Sequence, residues 1–453
     1  MAAFAKPASC VLGEGILHDA AFHMLTTMDS QIDSSRESGE TTVVRPVCRH
    51  CATALTHTFV DLGMSPLCES FLQAQQLNAM EPFYPLHVWV CSSCFLVQLQ
   101  EYVRPENIFN DYAYFSSFSD SWLGHAKRYT AKMIDRFGLT NRSRVVEIAS
   151  NDGYLLQYFV QRGIPALGVE PAANVAAAAV KLGVETLVQF FGRDTARQLV
   201  ADGTRPDLLL GNNVLAHVPD INDFVAGMKL LLAPDGVITM EFPHLLRLIA
   251  DNQYDTIYHE HFSYLSLTTV ERIFAAHGLV LFDVEELSTH GGSLRIYARH
   301  AESTAHPVTP AVAALRRVEE EAGVCRIDAY EQFNESVQAS KRRLLAFLIE
   351  AKDRGRRVVA YGAPGKGNTL LNYCGIRTDL IEYAVDRNPY KHGRFTPGTH
   401  IPIFAPDRLA ETRPDYILIL PWNLKDEIIA QLAYARDWGA QFVVPIPQVQ
   451  IFP

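Results

Sequence analysis

The densest set of chemically capable side chains is Tyr254-Asp-Thr-Ile-Tyr258-His259-Glu260-His261-Phe262-Ser263-Tyr264. Within positions 258–264 stand two histidines, a carboxylate and two tyrosines. An imidazole exchanges a proton near neutral pH, so this segment is equipped for general acid–base work. The same residues would also suit an HxH metal pair, for which the nearby sequence offers no third ligand, or a polar structural loop. A second set is built on thiols. Cys48-Arg-His-Cys51 and Cys91-Ser-Ser-Cys94 are separated by 39 residues, and each turn points two sulfurs at one ion. Four thiolates close a tetrahedral zinc site and leave no position for water or substrate, so the metal is expected to be structural. His50, His57, His87 and Cys68 are surplus to that set. The remaining cysteines, Cys10, Cys325 and Cys374, are scattered, a pattern of reduced thiols expected in the cytoplasm.

These side chains need elements to hold them. Strand-like runs at 145–149, 166–170, 208–211 and 236–242 are separated by helix-length segments, which implies an α/β domain with a parallel, doubly wound sheet. The first of these runs leads through Ala149-Ser150-Asn151-Asp152-Gly153 into a helix start, a loop whose amides can approach a ligand. One glycine stands where dinucleotide enzymes place three, which weakens a dinucleotide reading. Glu170-Pro171 ends the next run 17 residues after Gly153, placing a carboxylate to accept from a ribose diol. After residue 300 the style repeats: a charge-rich helix over about 319–354, then Tyr361-Gly362-Ala-Pro-Gly365-Lys366-Gly367-Asn368-Thr369 and further strands. That second glycine loop lacks Walker spacing, so an ATPase is excluded.

The expected organisation is an extension over 1–45, a small zinc-binding domain over 46–105, a Rossmann-like domain over 106–300 and a second Rossmann-like domain over 301–453. The extension is Ser-rich and expected to be disordered, without a signal peptide, and Met24 or Met28 could be the true start. With 48% hydrophobic and 20% charged residues and no long apolar run, no membrane span is expected. A net charge of −10 argues against nucleic acid as a partner. Monomer and dimer both stay open.

The loop 145–156, VVEIASNDGYLL, resembles motif I of class I methyltransferases, and Gly211-Asn212-Asn213-Val214-Leu-Ala-His217-Val-Pro-Asp220 resembles their motif IV. From about Val47 onward the chain resembles the sugar C-methyltransferase family of antibiotic and polysaccharide pathways. The matching pieces are the CxxC pairs, FSSFSDSW, VVEIASNDGYLL, NNVLAHVPD, YHEHFSY, HGGSLR and GAPGKGNT. The resemblance implies a class I methyltransferase domain between a zinc domain and a C-terminal Rossmann-like domain, using S-adenosylmethionine and structural Zn2+. It implies C-methylation beside the ketone of a nucleotide-linked keto-deoxy sugar. Alternatives are methylation of another natural-product intermediate and a non-catalytic cofactor-binding module.

Residue by residue, the resemblance makes His261 the general base, Tyr258 a neighbouring phenol and Glu260 an orienting or assisting carboxylate. Glu147, Ala149, Ser150, Asn151, Asp152, Gly153, Glu170, Pro171, Asn212, Asn213, Val214 and His217 would line the cofactor. At Ala149, relatives are expected to carry glycine, and the extra methyl is expected to be tolerated. His259, Tyr264, His290, Arg295, Tyr361, Gly362, Gly365, Lys366, Asn368 and Asp386 would meet the substrate, with Lys366 and Arg295 near phosphate or sugar and Asp386 near a ribose.

Overall fold

The computed structural model describes residues 46–104 and 115–453. The expectations for 1–45, including Cys10 and the two alternative starts, and for positions 110–114 of the aromatic stretch lie outside the described residues. The described chain from Pro46 onward forms one compact unit with three sheets.

The first sheet holds β1 (His57–Ser65), β2 (Tyr84–Val90) and β3 (Val97–Leu99), paired antiparallel. In β2 the residues Leu86, Val88 and Val90 alternate inward, as a strand with one buried face requires. The second sheet takes the short apolar runs: β4 (Val145–Ile148), β5 (Ala166–Val169), β6 (Glu185–Leu187), β7 (Leu208–Asn212) and β8 (Val237–Pro243). These five are parallel, and β4 and β7 are buried along their whole length, the pattern of strands covered on both faces. Strand β6 was not anticipated, because three half-exposed residues at a sheet edge carry no periodic signal.

The next strand leaves this sheet. β9 (Ser263–Tyr264) pairs with β3 and completes the first sheet as its fourth strand. β10 (Leu279–Leu287) and β11 (Ser293–His300) then add antiparallel to β8, giving a seven-stranded order β10-β11-β8-β7-β4-β5-β6. The third sheet has six strands: β12 (Val358–Tyr361), β13 (Ala384–Val385), β14 (Ile403–Phe404), β15 (Tyr416–Ile419), β16 (Gln441–Val444) and β17 (Gln450–Phe452). All but β17 are parallel.

The helix expected over about 319–354 is two helices, Pro310–Glu321 and Ile327–Asp353. Gly323 stands between them at φ +86°, a left-handed turn that stops the first helix. At the end of that first helix, the fully buried Glu319 accepts from the amides of Leu267 (2.7 Å) and Thr268 (2.8 Å) and contacts His244 Nε2 at 2.7 Å. The carboxylate thereby satisfies the N-terminus of helix Leu267–Ala276, where positive partial charge gathers. That helix follows β9 directly, so the bond also fixes the far end of the His-rich segment. Among the described residues no helix is long and apolar enough to cross a membrane.

Candidate active site

The carboxyl ends of β4, β5, β7 and β8 form one edge, where open α/β sheets present ligands. After β4 the backbone enters the left-handed region three times, at Ala149 (φ 56°), Asn151 (φ 49°) and Gly153 (φ 77°). A side chain there costs about 1–2 kcal/mol, so Ala149 stands where glycine would be unstrained. Its methyl group is therefore accommodated at a backbone cost. Asn151 Oδ1 accepts from the Ser116 amide at 2.9 Å, and Asp152 Oδ2 from the Ser117 amide at 3.1 Å, so the turn Ser116–Phe118 covers the loop. Glu170 accepts from the amides of Asn151 (3.0 Å) and Ala172 (2.9 Å), binding the end of β5 and the adjoining Pro171 to the same loop. At Gly168 a Cβ would lie 2.3 Å from Ser150 Oγ, so this position must stay bare.

Several buried oxygens at this edge lack a well-formed protein hydrogen bond: both of Glu147, Ser150 Oγ and Asp152 Oδ1. Burial holds the Glu147 carboxyl well above the usual carboxylate range, although the Tyr154 phenol favours its charge. A carboxyl whose charge burial disfavours regains that charge when a cationic group enters beside it. At the end of β7, Asn212 Nδ2 donates to the Tyr154 hydroxyl at 3.3 Å. Asn213, at φ 54°, donates from Nδ2 to His290 Nε2 at 2.9 Å, and His290 is itself at φ 54°. Val214 is buried beside them, and the turn Leu215–His217 brings in His217.

The histidine segment meets this edge from the other side. His261 is 8% exposed, and its Nδ1 donates to the Thr256 carbonyl at 2.8 Å. Its ring lies 4.0 Å from that of Tyr258, 4.7 Å from His217 and 6.2 Å from Tyr264, centre to centre. Burial, with His217 and His290 nearby, holds the His261 imidazole well below its ordinary pKa. The ring is therefore neutral at pH 7, and a proton fixed on Nδ1 makes Nε2 the basic nitrogen. Burial likewise lowers His217 and His290, each to about 4.

Two neighbours of His261 are held by other parts of the fold. Among the described residues Glu260 makes no hydrogen bond to His261; it accepts from the Cys68 thiol at 3.7 Å, and the orienting acceptor is the Thr256 carbonyl. Burial beside Glu69 raises Glu260 to about 8, so it is mostly a neutral acid at pH 7. His259 points Nε2 at the Pro85 carbonyl (3.2 Å) and packs on Tyr84, which ties the segment to β2.

The third sheet supplies Lys366, whose only hydrogen bond among the described residues is to Asn423 Oδ1, and which lies 4.4 Å from the centre of the Trp422 ring. Burial lowers this ammonium to about 8, against the pull of Asp255. The glycine loop beside it is less open than its sequence suggests. Asp386 Oδ2 accepts from the Ala363 amide at 2.7 Å, and the Gly365 amide favours the charge of Glu69. Carboxylates thus already meet the amides expected to cradle phosphate. Gly362 adopts φ +83°, and a Cβ there would meet Pro421 at 2.6 Å. Tyr361 reaches Gln431 Oε1 (3.4 Å), and Asn368 donates to the Cys68 carbonyl at 2.6 Å. Arg295 is corrected as a candidate for phosphate: it is 3% exposed and its NH2 donates to Glu241 at 2.6 Å, so its charge is neutralised inside the second sheet.

The four expected thiols converge, with every Sγ within 4.8 Å of the others, Cys48 to Cys94 at 3.5 Å and Cys51 to Cys91 at 3.5 Å. Tetrahedral zinc with bonds of about 2.3 Å requires sulfurs about 3.8 Å apart. Gln98 Nε2 donates to Cys48 Sγ at 3.2 Å, and the Ser93 amide to Cys91 Sγ at 3.4 Å, support suited to thiolates.

Comparison with known proteins matches three parts of the chain. A zinc binding domain model matches residues 48–109, a methyltransferase domain model 122–284 and a C-methyltransferase C-terminal domain model 288–447. The sequence is 36% identical over 414 residues to the C-methyltransferase NovU of Streptomyces niveus, covering 90% of this chain and 98% of the relative. The chain belongs to the C-methyltransferase family. This C-methyltransferase uses S-adenosylmethionine, and its four-cysteine site is a zinc site. It is also 28% identical over 98 residues to a ubiquinone biosynthesis O-methyltransferase of Rhodopseudomonas palustris, over 21% of this chain and 38% of that one. A solved 1,6-didemethyltoxoflavin-N1-methyltransferase of Burkholderia thailandensis shares 20% identity at a TM-score of 0.31, covering 40% of this chain and 82% of that chain.

Several residues of the C-methyltransferase had no role assigned from the sequence. Trp122 stacks on His125 (4.9 Å) and Tyr154 (5.9 Å) and meets His290 edge-on. Glu69 and Trp422 carry no motif, and Asp255 lies in the histidine segment without an assigned role. Only Trp422 had a usable signal, since it follows a strand whose carboxyl end reaches a ligand edge.

Proposed function

We propose that this C-methyltransferase removes a proton from the carbon beside the ketone of a nucleotide-linked keto-deoxy sugar and that His261 Nε2 takes that proton. The observation that carries the reading is the Nδ1–Thr256 hydrogen bond of a buried, neutral imidazole, which leaves one basic nitrogen beside Tyr258 and His217. S-adenosylmethionine, when bound, supplies the methyl group. Tyr258 donates to the developing enolate oxygen or seats the sugar, since a phenol is a hydrogen-bond donor where negative charge grows. Glu147 meets the amino group of the cofactor and Glu170 its ribose, while Asn212, Asn213 and Val214 border the reacting methyl.

The nucleotide end lies toward the third sheet. Lys366, with N–H groups beyond the one given to Asn423, serves the phosphates better than loop amides already facing Asp386 and Glu69. The three segments 46–105, 106–300 and 301–453 divide the work as zinc-stapled support, methyl transfer and substrate binding, in a cytoplasmic enzyme.

Isotopically labelled S-adenosylmethionine incubated with dTDP-, UDP- and GDP-linked 4-keto-6-deoxy sugars tests this by mass spectrometry. Label on a ring carbon is the expected result. Label on oxygen or nitrogen, or transfer to none of the sugars, overturns the reading.

A further inference from the structure

The base is oriented by a peptide carbonyl, and that carbonyl belongs to a turn held from the third sheet. The 3-10 turn Tyr254–Thr256 presents the Thr256 carbonyl to His261 Nδ1 at 2.8 Å. Its middle residue, Asp255, is fully buried and accepts from Trp422 Nε1 at 2.7 Å. Burial raises the Asp255 carboxyl to about 6, against Lys366, the Trp422 N–H and the amides of Asp255 and Thr256, which favour its charge. Trp422 has a second grip on the same region. Its ring packs so closely on Gly291 that a Cβ there would lie 2.7 Å from it, and the Gly291 carbonyl accepts from Gln253 Nε2 at 2.7 Å, one residue before the turn. Beneath the turn, Thr369 Oγ1 donates to the Ile257 carbonyl at 3.0 Å.

We infer that Trp422 is a positioning residue for the base: through Asp255 it fixes the turn whose Thr256 carbonyl holds the proton on His261 Nδ1 and so keeps Nε2 basic. The inference rests on the reading of His261 as the base. Its physical content is separate, since it concerns which imidazole nitrogen carries the proton. Without the indole N–H, a buried carboxylate loses a hydrogen-bond donor, and the turn must shift to find another. A displacement of about 1 Å at a reacting group costs on the order of 100-fold in rate. Lys366 lies over the face of the same indole, so substrate held by Lys366 and the base oriented by Trp422 share one contact.

The test uses the full chain with zinc, as wild type, Trp422→Phe, Asp255→Ala and the double variant. Nitrogen-15 NMR of histidine-labelled protein reads the His261 tautomer, assigned by its absence in His261→Asn, and needs no sugar substrate. The expected result is a single Nδ1–H tautomer in wild type and a mixture in each single variant, with no further change in the double. S-adenosylmethionine affinity should stay within about twofold while methyl transfer falls about 10- to 100-fold, as misplacement of a base alone requires. A His261 tautomer unchanged in Trp422→Phe overturns the inference, as does loss of cofactor binding in step with activity. Failure of every sugar to accept a methyl group would count against the substrate reading and leave the tautomer result to decide this one.

Discussion

Replacing His261 by Asn isolates the proposed proton transfer from everything else the imidazole does. The asparagine amide occupies the place of Nδ1, so it can still donate to the Thr256 carbonyl that accepts at 2.8 Å in the native protein, while the Nε2 position is lost. The ring is buried, and its aromatic neighbours Tyr258, His217 and Tyr264 all lie outside the 149–153 loop, so cofactor affinity should hold. Deleting a general base costs about 100- to 10,000-fold in kcat, equivalent to about 3–5 kcal/mol of barrier. Methyl transfer from labelled cofactor gives kcat, calorimetry gives the cofactor Kd, and deuterium wash-in at the carbon beside the ketone reads proton removal directly. The variant should bind cofactor normally and lose wash-in and methyl transfer together. There is a stability signature as well. The folded-state pKa of His261 lies well below its ordinary value, so the neutral ring costs nothing above about pH 6.5. Stability is lost as pH falls below that value toward the folded pKa, because the unfolded chain binds the proton first. His261→Asn should therefore lose less stability than wild type between pH 6.5 and 5. A variant that keeps kcat within threefold of wild type, or that retains wash-in, refutes the assignment of the base.

Other expectations follow from the same geometry. Cys91→Ser should abolish binding of one zinc per chain, measured by atomic absorption, and lower Tm sharply, because metal binding to such a site is coupled to folding. Gly168→Ala places a methyl 2.3 Å from Ser150 Oγ; titration calorimetry should show cofactor affinity down at least tenfold, with a stability loss of about 1–3 kcal/mol. Glu260, raised to about 8 in the fold, contributes stability that is fully present below its ordinary pKa of 4.5 and is lost as pH rises through about 8. Glu260→Gln should flatten that decline in thermal melts between about pH 4.5 and 8, and an unchanged slope would show that Glu260 is ionised in the native protein.

The sequence alone determined those features whose signal is local. Two CxxC turns define four converging thiols because the spacing within each turn dictates where its sulfurs point, and the structure brings all four within 4.8 Å. Apolar runs separated by helix lengths define parallel strands, and the strands β4, β5, β7 and β8 lie close to where periodicity placed them. The left-handed loop after β4 was legible in its glycine and asparagine, and Ala149 marks where a residue pays for that conformation. What tertiary structure decided was partnership. The resemblance made Glu260 an orienting or assisting carboxylate for His261, and in the fold its oxygen meets Cys68, 192 residues away, while a backbone carbonyl orients the ring. Arg295 stood as a candidate phosphate or sugar contact and is neutralised by Glu241 across a strand pair. The second glycine loop read as a phosphate cradle, and Asp386 and Glu69 face its amides. A side chain's charge is local information, but whether that charge is spent on the fold or kept for a ligand depends on what the folded chain brings within about 3 Å of it, and residue spacing along the chain does not encode that distance.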